Sequence, residues 1–266
     1  MDKKAGRSLL SSVTGFLVIL SMLLLAGCGS SDKSRTDKKD QYKKMKGNVV
    51  VYGDSIWAID KGPKGVAGRF EEITSFHVTD LSVCGGVAAR IEEYPSTHSN
   101  ICLTSMLFYN DDEESREMRD SINGADYVFI EYGGNDYGIG HVSASGGENS
   151  FENAMLTAVT AIKEMNPDAR IVLIGPSEGW LPEGDRTVLK SEADFGGGTL
   201  TDFSNAVRNV AGKEGLLFVD MMKGVPVSTE RPREYVIDGS HLSDAGSQVY
   251  AEYLAEQIYE YYYGSN

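Results

Sequence analysis

Apolar runs of strand length alternate along this chain with segments of helical periodicity. Five runs rich in Val and Ile barely alternate between apolar and polar positions, as is typical of strands covered on both faces. They are residues 48–53, 77–83, 126–133, 170–175 and 216–220. Apolar residues at helical spacing predict helices over 111–124, 150–167, 200–215 and 243–263. This alternation predicts an α/β fold with a doubly wound parallel sheet.

Two connections are longer than the few residues that usually join such elements. Residues 143–150 are rich in Gly, and residues 176–199 form an unusually long segment for a compact domain. Both follow a strand or lie close to its carboxyl end, which is where open α/β sheets bind ligands. We therefore expect lids or binding loops there.

The first 46 residues differ in character from the rest. A short basic segment precedes the apolar run 9–26, which ends in Leu-Ala-Gly-Cys at Cys28. This pattern indicates a secretory signal, although the run is also near the length of a transmembrane anchor. The last four residues resemble a bacterial lipobox and favour the signal. We predict a signal peptide over 1–27, a lipidated Cys28 with a polar tether over 28–46, and a catalytic domain over 47–266. The protein would then be secreted and lipid-anchored to the outer face of the bacterial cell membrane.

Charge is distributed unevenly between these parts. Residues 1–46 contain ten Lys or Arg and four Asp or Glu, whereas the whole chain contains 25 and 39. The predicted domain therefore carries 15 basic and 35 acidic residues. Such an acidic domain argues against a nucleic-acid partner, because nucleic-acid binders carry a basic footprint. It also favours neutral or cationic substrates over polyanions.

Two cysteines besides Cys28 lie in the predicted domain. Cys84 and Cys102 could form a disulfide outside the cytoplasm, closing a loop of about 18 residues. The alternative is a pair of buried thiols, and both interpretations remain open from the sequence.

Two short polar motifs could supply a nucleophile and its base. Ser55 comes just after the first strand, where it could be a turn hydroxyl or a nucleophile. Asp238 and His241 precede the last helix, and together they could supply a general base and the carboxylate that orients it. Taken alone, His241 would rather be read as a residue that caps or packs at the start of the helix.

The remaining candidates are donors that could stabilise an oxyanion. Asn135 lies just past the third strand in Gly-Gly-Asn-Asp, which is also a common turn sequence. Gly85 and Gly86 follow the second strand, where a bare backbone N–H could complete an oxyanion hole.

These motifs, in this order, resemble the SGNH or GDSL-type hydrolases. The resemblance spans residues 53 to 241, and it implies a flavodoxin-like three-layer α/β/α fold with a five-stranded parallel sheet. It also implies ester hydrolysis without a metal or organic cofactor. Carried over by position, Ser55 would be the nucleophile, His241 the base and Asp238 its partner. Ser55, Gly85 and Asn135 would form the oxyanion hole.

Some positions depart from the family pattern or lie outside it. The second motif lacks the usual Asn or Ser near its glycine, so Gly85 and Gly86 remain alternatives. Trp180 in the long connection is predicted to contact substrate through its aromatic face, and His141 could line the same pocket. The expected activity is that of a surface-anchored esterase or deacylase acting on O-acetyl groups of glycans. A carbohydrate-binding lipoprotein and a lipase or thioesterase are the alternatives.

Overall fold

The computed structural model describes residues 38, 40–90, 102–108, 111–139, 142 and 150–264. The described strands are β1 Lys46–Gly53, β2 Ser75–Asp80, β3 Tyr127–Glu131, β4 Arg170–Ile174, β5 Trp180–Glu183, β6 Arg186–Leu189 and β7 Leu217–Val219. Five of them form one parallel sheet in the order β2-β1-β3-β4-β7, and β5 pairs with β6 as an antiparallel hairpin. The predicted α/β fold with a five-stranded parallel sheet is confirmed.

Helices connect these strands and cover the sheet. They are α1 Ser55–Ala58, α2 Val66–Ile73, α3 Leu103–Phe108, α4 Glu113–Asn123, α5 Asp136–Ile139, α6 Phe151–Met165, α7 Leu200–Glu214, α8 Met221–Gly224 and α9 Asp244–Tyr262, with a 3₁₀ turn at Lys190–Glu192. The four helices predicted from apolar periodicity correspond to α4, α6, α7 and α9.

The sheet is buried on both faces because successive side chains of a strand point to opposite sides. In β3, Val128 and Ile130 pack into one apolar cluster with residues of α6 and α7. Tyr127 and Phe129 belong to a second cluster with residues of α2 and α9. Two cores therefore explain why the strand sequences are continuously apolar rather than alternating.

The helix ends follow the sequence signals. Ser243 accepts a hydrogen bond from the backbone N–H of Gly246 and caps α9. Gly215 ends α7 in the left-handed conformation, with φ of 66°, where a side chain would be strained. Ser150 occupies the N-cap position of α6 without a side-chain capping bond.

Two regions differ from the sequence-based expectation. β2 begins at Ser75 and ends at Asp80, so it lies a few residues earlier than the predicted run. The connection 176–199 is not an irregular loop, because it contains β5, β6 and the 3₁₀ turn. Its strands have four residues each and mix apolar with polar positions, so they lack the continuous apolar run that marks the central sheet.

Several predictions concern residues outside the described part of the chain. They are the signal segment, Cys28, most of the tether, His141 and residues 143–149. Among the residues that the structure does describe, no helix has both the length and the apolarity needed to cross a bilayer.

Candidate active site

Ser55 lies at the carboxyl end of β1, an inner strand of the sheet. The strand ends at Gly53, Asp54 forms the N-cap, and Ser55 is the first residue of the short helix α1. The Asp54 side chain accepts a hydrogen bond from the backbone N–H of Ile56 at 2.9 Å. Asp54 therefore holds the turn that presents the Ser55 hydroxyl.

Asp238 and His241 lie on the loop before α9 and reach Ser55 from the other side. His241 Nε2 lies 3.0 Å from Ser55 Oγ, and His241 Nδ1 lies 2.7 Å from Asp238 Oδ2. With the Nδ1 proton donated to Asp238, Nε2 is left to accept the Ser55 hydroxyl proton. The structure thus brings together three side chains that are up to 186 positions apart in the sequence.

The Asp238 carboxylate is held by backbone groups of its own loop. Its Oδ1 accepts hydrogen bonds from the backbone N–H groups of His241 and Ser240, at 2.8 and 3.1 Å. Partial burial opposes its ionisation, but these bonds and the His241 ring lower the pKa of Asp238 to about 2. The carboxylate is therefore ionised at every pH at which an esterase is ordinarily assayed.

Trp180 packs against the loop that carries Asp238 and His241, and it is not among the residues that line the cavity described below. It is only 9% exposed, its backbone N–H donates to Gly239 O, and its Nε1 donates to Val236 O at 3.0 Å. Gly239 has φ of 94°, and a Cβ there would lie 2.3 Å from Trp180 O. The prediction that Trp180 contacts substrate is therefore corrected: its ring is packed under the loop that carries Asp238 and His241.

A cleft opens beside Ser55 and encloses a cavity of about 40 Å³. Its lining includes residues from the carboxyl ends of β1, β3 and β4, from the connection 176–199 and from the loop before α9. They are Asp54, Ser55, Ile56, Glu131, Gly134, Asn135, Pro176, Ser177, Gly179, Lys190, Leu200 and Ser240. The long connection therefore contributes to the cleft, as its position in the sequence suggested.

Two of the three predicted oxyanion donors, Ser55 and Asn135, line this cavity. The Asn135 amide donates to Gly86 O at 2.9 Å and approaches Asp54 Oδ2 at 3.4 Å. Gly86 N–H is already donated to Val83 O. That leaves Gly85, with φ of 77°, as the glycine whose N–H could serve, although it is not among the residues that line the cavity.

Asp136, the residue after Asn135, joins two of the loops at the edge of the sheet. It is fully buried and accepts hydrogen bonds from the backbone N–H groups of Ala88 and Ala89, at 3.0 and 3.3 Å. Burial raises the pKa of Asp136 to about 7 in spite of these bonds. The sequence analysis did not single out this residue, whose contacts position the loop of Asn135.

Glu131 is a second buried carboxyl group that the sequence analysis missed. It is the last residue of β3, is 1% exposed, and its carboxyl group lies beside that of Asp54. Burial, followed by the negative charge of Asp54, raises the pKa of Glu131 well above its ordinary value. Burial likewise raises the pKa of Asp54. The cleft floor therefore favours the neutral acid form of Glu131.

This burial predicts how stability depends on pH. Glu131 releases its proton in the unfolded chain above about pH 4 but retains it in the folded protein, so its contribution to stability is lost as pH rises. Glu131→Gln removes that titration. We expect the stability of the variant relative to wild type to increase between pH 4 and 8 by at least about 1 kcal/mol. Urea unfolding at several pH values measures this difference.

A matched control separates this effect from general loss of charge. Glu164→Gln changes an exposed carboxylate on α6, and its stability should follow the wild-type pH profile. Burying the new amide of Glu131→Gln can lower the free energy of unfolding by the same amount at every pH. Such a change shifts the whole profile of free energy against pH but leaves its slope unchanged. Parallel profiles for wild type and Glu131→Gln would show that Glu131 ionises as readily in the folded protein as in the unfolded chain.

The state of the cysteine pair, which the sequence left open, is visible in the structure. No disulfide links Cys84 to Cys102, both of which are described: Cys84 is exposed and Cys102 is buried. Cys102 Sγ donates to Ser105 Oγ at 3.0 Å and accepts from Ser105 N–H at 3.3 Å. Within the described ranges, no group of three or more His, Cys, Asp and Glu side chains is arranged to hold a metal ion.

The family model of the GDSL-like lipase/acylhydrolases matches residues 51–249, well over half of the chain. The chain belongs to this family. It is accordingly a hydrolase of carboxylic esters, as the resemblance of its motifs implied. No curated protein matches the sequence.

Several solved structures share the fold of this GDSL-like hydrolase. A possible lipase from Chitinophaga pinensis is 18% identical with a TM-score of 0.58, and the match covers 80% of this chain and 98% of that one. A protein from Lactobacillus plantarum is 16% identical with a TM-score of 0.58, covering 81% and 97%. The aryl esterase of M. smegmatis is 15% identical with a TM-score of 0.52, covering 79% and 97%. At these identities the likeness shows the fold alone.

Proposed function

We propose that this GDSL-like hydrolase removes short acyl groups from alcohols, with O-acetyl groups on glycans as the leading substrate class. The observation that carries the proposal is the continuous contact from Asp238 through His241 to Ser55, which ends in a small cleft. Ser55 is the proposed nucleophile, His241 the general base and Asp238 the residue that orients the base and stabilises its charged form.

The reaction proceeds through an acyl-enzyme. His241 Nε2 takes the Ser55 hydroxyl proton while Oγ bonds to the ester carbonyl carbon. The tetrahedral intermediate collapses, the bond to the alcohol oxygen breaks, and His241 returns the proton to the departing alcohol. Water then repeats the sequence on the acyl-enzyme, which releases the carboxylic acid and restores the Ser55 hydroxyl.

The proposed oxyanion hole combines the backbone N–H groups of Ser55 and Gly85 with the Asn135 amide. Asn135 is held beside the cleft by its bond to Gly86 O. Its second N–H, whose hydrogen bond to Asp54 is long at 3.4 Å, is the donor proposed for the oxyanion.

The size of the cleft supports a short acyl group. A volume of about 40 Å³ accommodates about three water-sized groups, the number of non-hydrogen atoms in an acetyl group. A long acyl chain would need a groove that continues from this cavity. The acetyl ester is therefore preferred to the lipase and thioesterase alternatives.

The location of the enzyme is part of the proposal. The apolar run 9–26 and the residues before Cys28 support secretion followed by lipidation of Cys28. Anchoring to the outer face of the bacterial membrane would place the cleft near glycans of the cell envelope or of the surroundings.

A fluorophosphonate probe tests the proposal against a non-catalytic glycan-binding protein. We expect one probe per protein, attached to Ser55 by peptide mapping, and acetate release from acetylated polysaccharides. A p-nitrophenyl ester series should show turnover falling as the acyl chain lengthens beyond a few carbons. Complete resistance to the probe, together with tight glycan binding, would favour the binding protein. Rising turnover with chain length would favour a lipase.

A further inference from the structure

Lys190 is a cleft residue that the motifs did not indicate. It follows β6, lines the cavity with Ser55, and its backbone N–H donates to Gly179 O at 3.0 Å. Its side chain passes over Gly179, where a Cβ would lie 2.9 Å from Lys190 Cδ. The absence of a side chain at Gly179 therefore leaves the path along which Lys190 reaches the cleft.

The ammonium group of Lys190 is only partly engaged. It donates to Ser240 Oγ at 2.7 Å and has no carboxylate oxygen within 4.0 Å among the described residues. The negative charges of Asp54, Asp238 and Glu178 act on this ammonium group and favour its charged form. Each of these carboxylates already accepts backbone N–H bonds. Lys190 thus retains two N–H groups that can bind a ligand.

Burial lowers the pKa of Lys190, against the raising effect of Asp54 and the other two carboxylates. A partly desolvated ammonium group gains more from an anionic ligand than an exposed one. Lys190 is also the one Lys or Arg among the cavity-lining residues of the described chain. An anion entering the cleft would therefore meet this group.

We propose that Lys190 forms a cationic subsite that binds a single carboxylate or phosphate on the alcohol part of the ester. The inference rests on the proposed hydrolysis of acetyl esters. An acetyl group carries no charge, so an anion that reaches Lys190 belongs to the alcohol. A lysine provides a point charge with flexible donors, which suits either a carboxylate or a phosphate.

The acidity of the whole domain limits this preference to substrates with few negative charges. Repulsion from the acidic surface acts on every charge of a polyanion. Attraction to Lys190 acts at contact distance and is less screened by salt than interactions beyond about 10 Å. An ester with one anionic group therefore gains the contact without most of the repulsion.

Two matched pairs of acetyl esters test the inference on the full-length protein. They are 4-acetoxybenzoate with 4-acetoxybenzamide, and 1-acetylglycerol 3-phosphate with monoacetin. We expect wild type to show a kcat/KM about ten-fold higher for the anionic member of at least one pair. The pair that responds distinguishes a carboxylate from a phosphate. Added salt should reduce the preference.

The substitution Lys190→Met retains the side-chain length and removes the charge. It should abolish the preference by lowering kcat/KM for the anionic ester more than for its neutral partner. Lys213→Met, which removes an exposed lysine bound to Glu152 on the surface, should leave the preference unchanged. If Lys190→Met lowered kcat/KM equally for the anionic and the neutral ester, Lys190 would only position the loop that contains Ser240. That result would overturn the inference.

The result also separates this inference from the proposed function. If wild type hydrolyses neutral and anionic acetyl esters equally, the cationic subsite is refuted while ester hydrolysis at Ser55 stands. If no ester is hydrolysed and Ser55 resists the fluorophosphonate probe, both are refuted.

Discussion

Ser55→Ala is expected to lower kcat for p-nitrophenyl acetate by on the order of 10⁴- to 10⁶-fold. The substitution removes the oxygen that lies 3.0 Å from His241 Nε2 and would form the acyl-enzyme. Among the described residues that hydroxyl has no other hydrogen-bond partner, so the free energy of unfolding should change by less than about 1 kcal/mol. Steady-state kinetics and thermal unfolding of the same preparation measure the two effects.

Ser177→Ala provides the matched control, because Ser177 lines the same cavity without contacting His241. Its kcat should remain within about ten-fold of wild type. Wild-type turnover by Ser55→Ala would show that another group attacks the ester.

Asp238→Asn is expected to lower kcat by about 10⁴-fold with little change in KM. The new amide can present N–H to His241 Nδ1, which then acts as acceptor and leaves the proton on Nε2. In this tautomer the imidazole cannot accept the Ser55 proton. Single-turnover acetylation measured over pH 5–9 checks the loss directly.

The pKa of Asp238 adds a prediction about pH for the same residue. Because its folded pKa is about 2, its stabilising contacts are fully present above about pH 4 and are lost as pH falls toward 2. Asp238→Asn should remove that acid-dependent contribution. Asp185→Asn, in the exposed turn between β5 and β6, is the control and should behave as wild type in both assays. Near wild-type kcat for Asp238→Asn would show that His241 does not depend on Asp238 for its tautomer.

The positions of Ser55, Asn135 and the Asp238–His241 pair illustrate what motif spacing predicts well. Each residue follows a strand or precedes a helix whose apolar periodicity is unambiguous. Carboxyl ends of parallel strands meet at one edge of the sheet, so residues placed there by local sequence converge in space. Apolar periodicity therefore predicted the fold class, and the resemblance of the ordered motifs to the SGNH hydrolases implied which side chains would meet.

The connection 176–199 illustrates what local sequence could not predict. The strands of its hairpin have four residues each and mix apolar with polar positions, so no continuous hydrophobic run marks them. Trp180 was expected to face substrate because of its chemistry. Its orientation is set by contacts with Gly239 and Val236, which are more than 50 residues away. A side chain's direction depends on such partners, and its identity alone does not reveal them.

Glu131 and Lys190 are two cleft residues whose roles depend on the tertiary structure and not on local sequence. A charged residue at the end of an apolar strand was a signal that could have identified Glu131, but only the fold shows that it is buried beside Asp54. Lys190 carries no sequence signal at all. By itself, the sequence determined the parallel sheet, which depends on local periodicity and strand direction, and its motifs resembled a family in which Ser55, Asn135, Asp238 and His241 share one site. Only the tertiary structure decided the burial and charge of the cleft, because these depend on contacts between segments far apart in the chain.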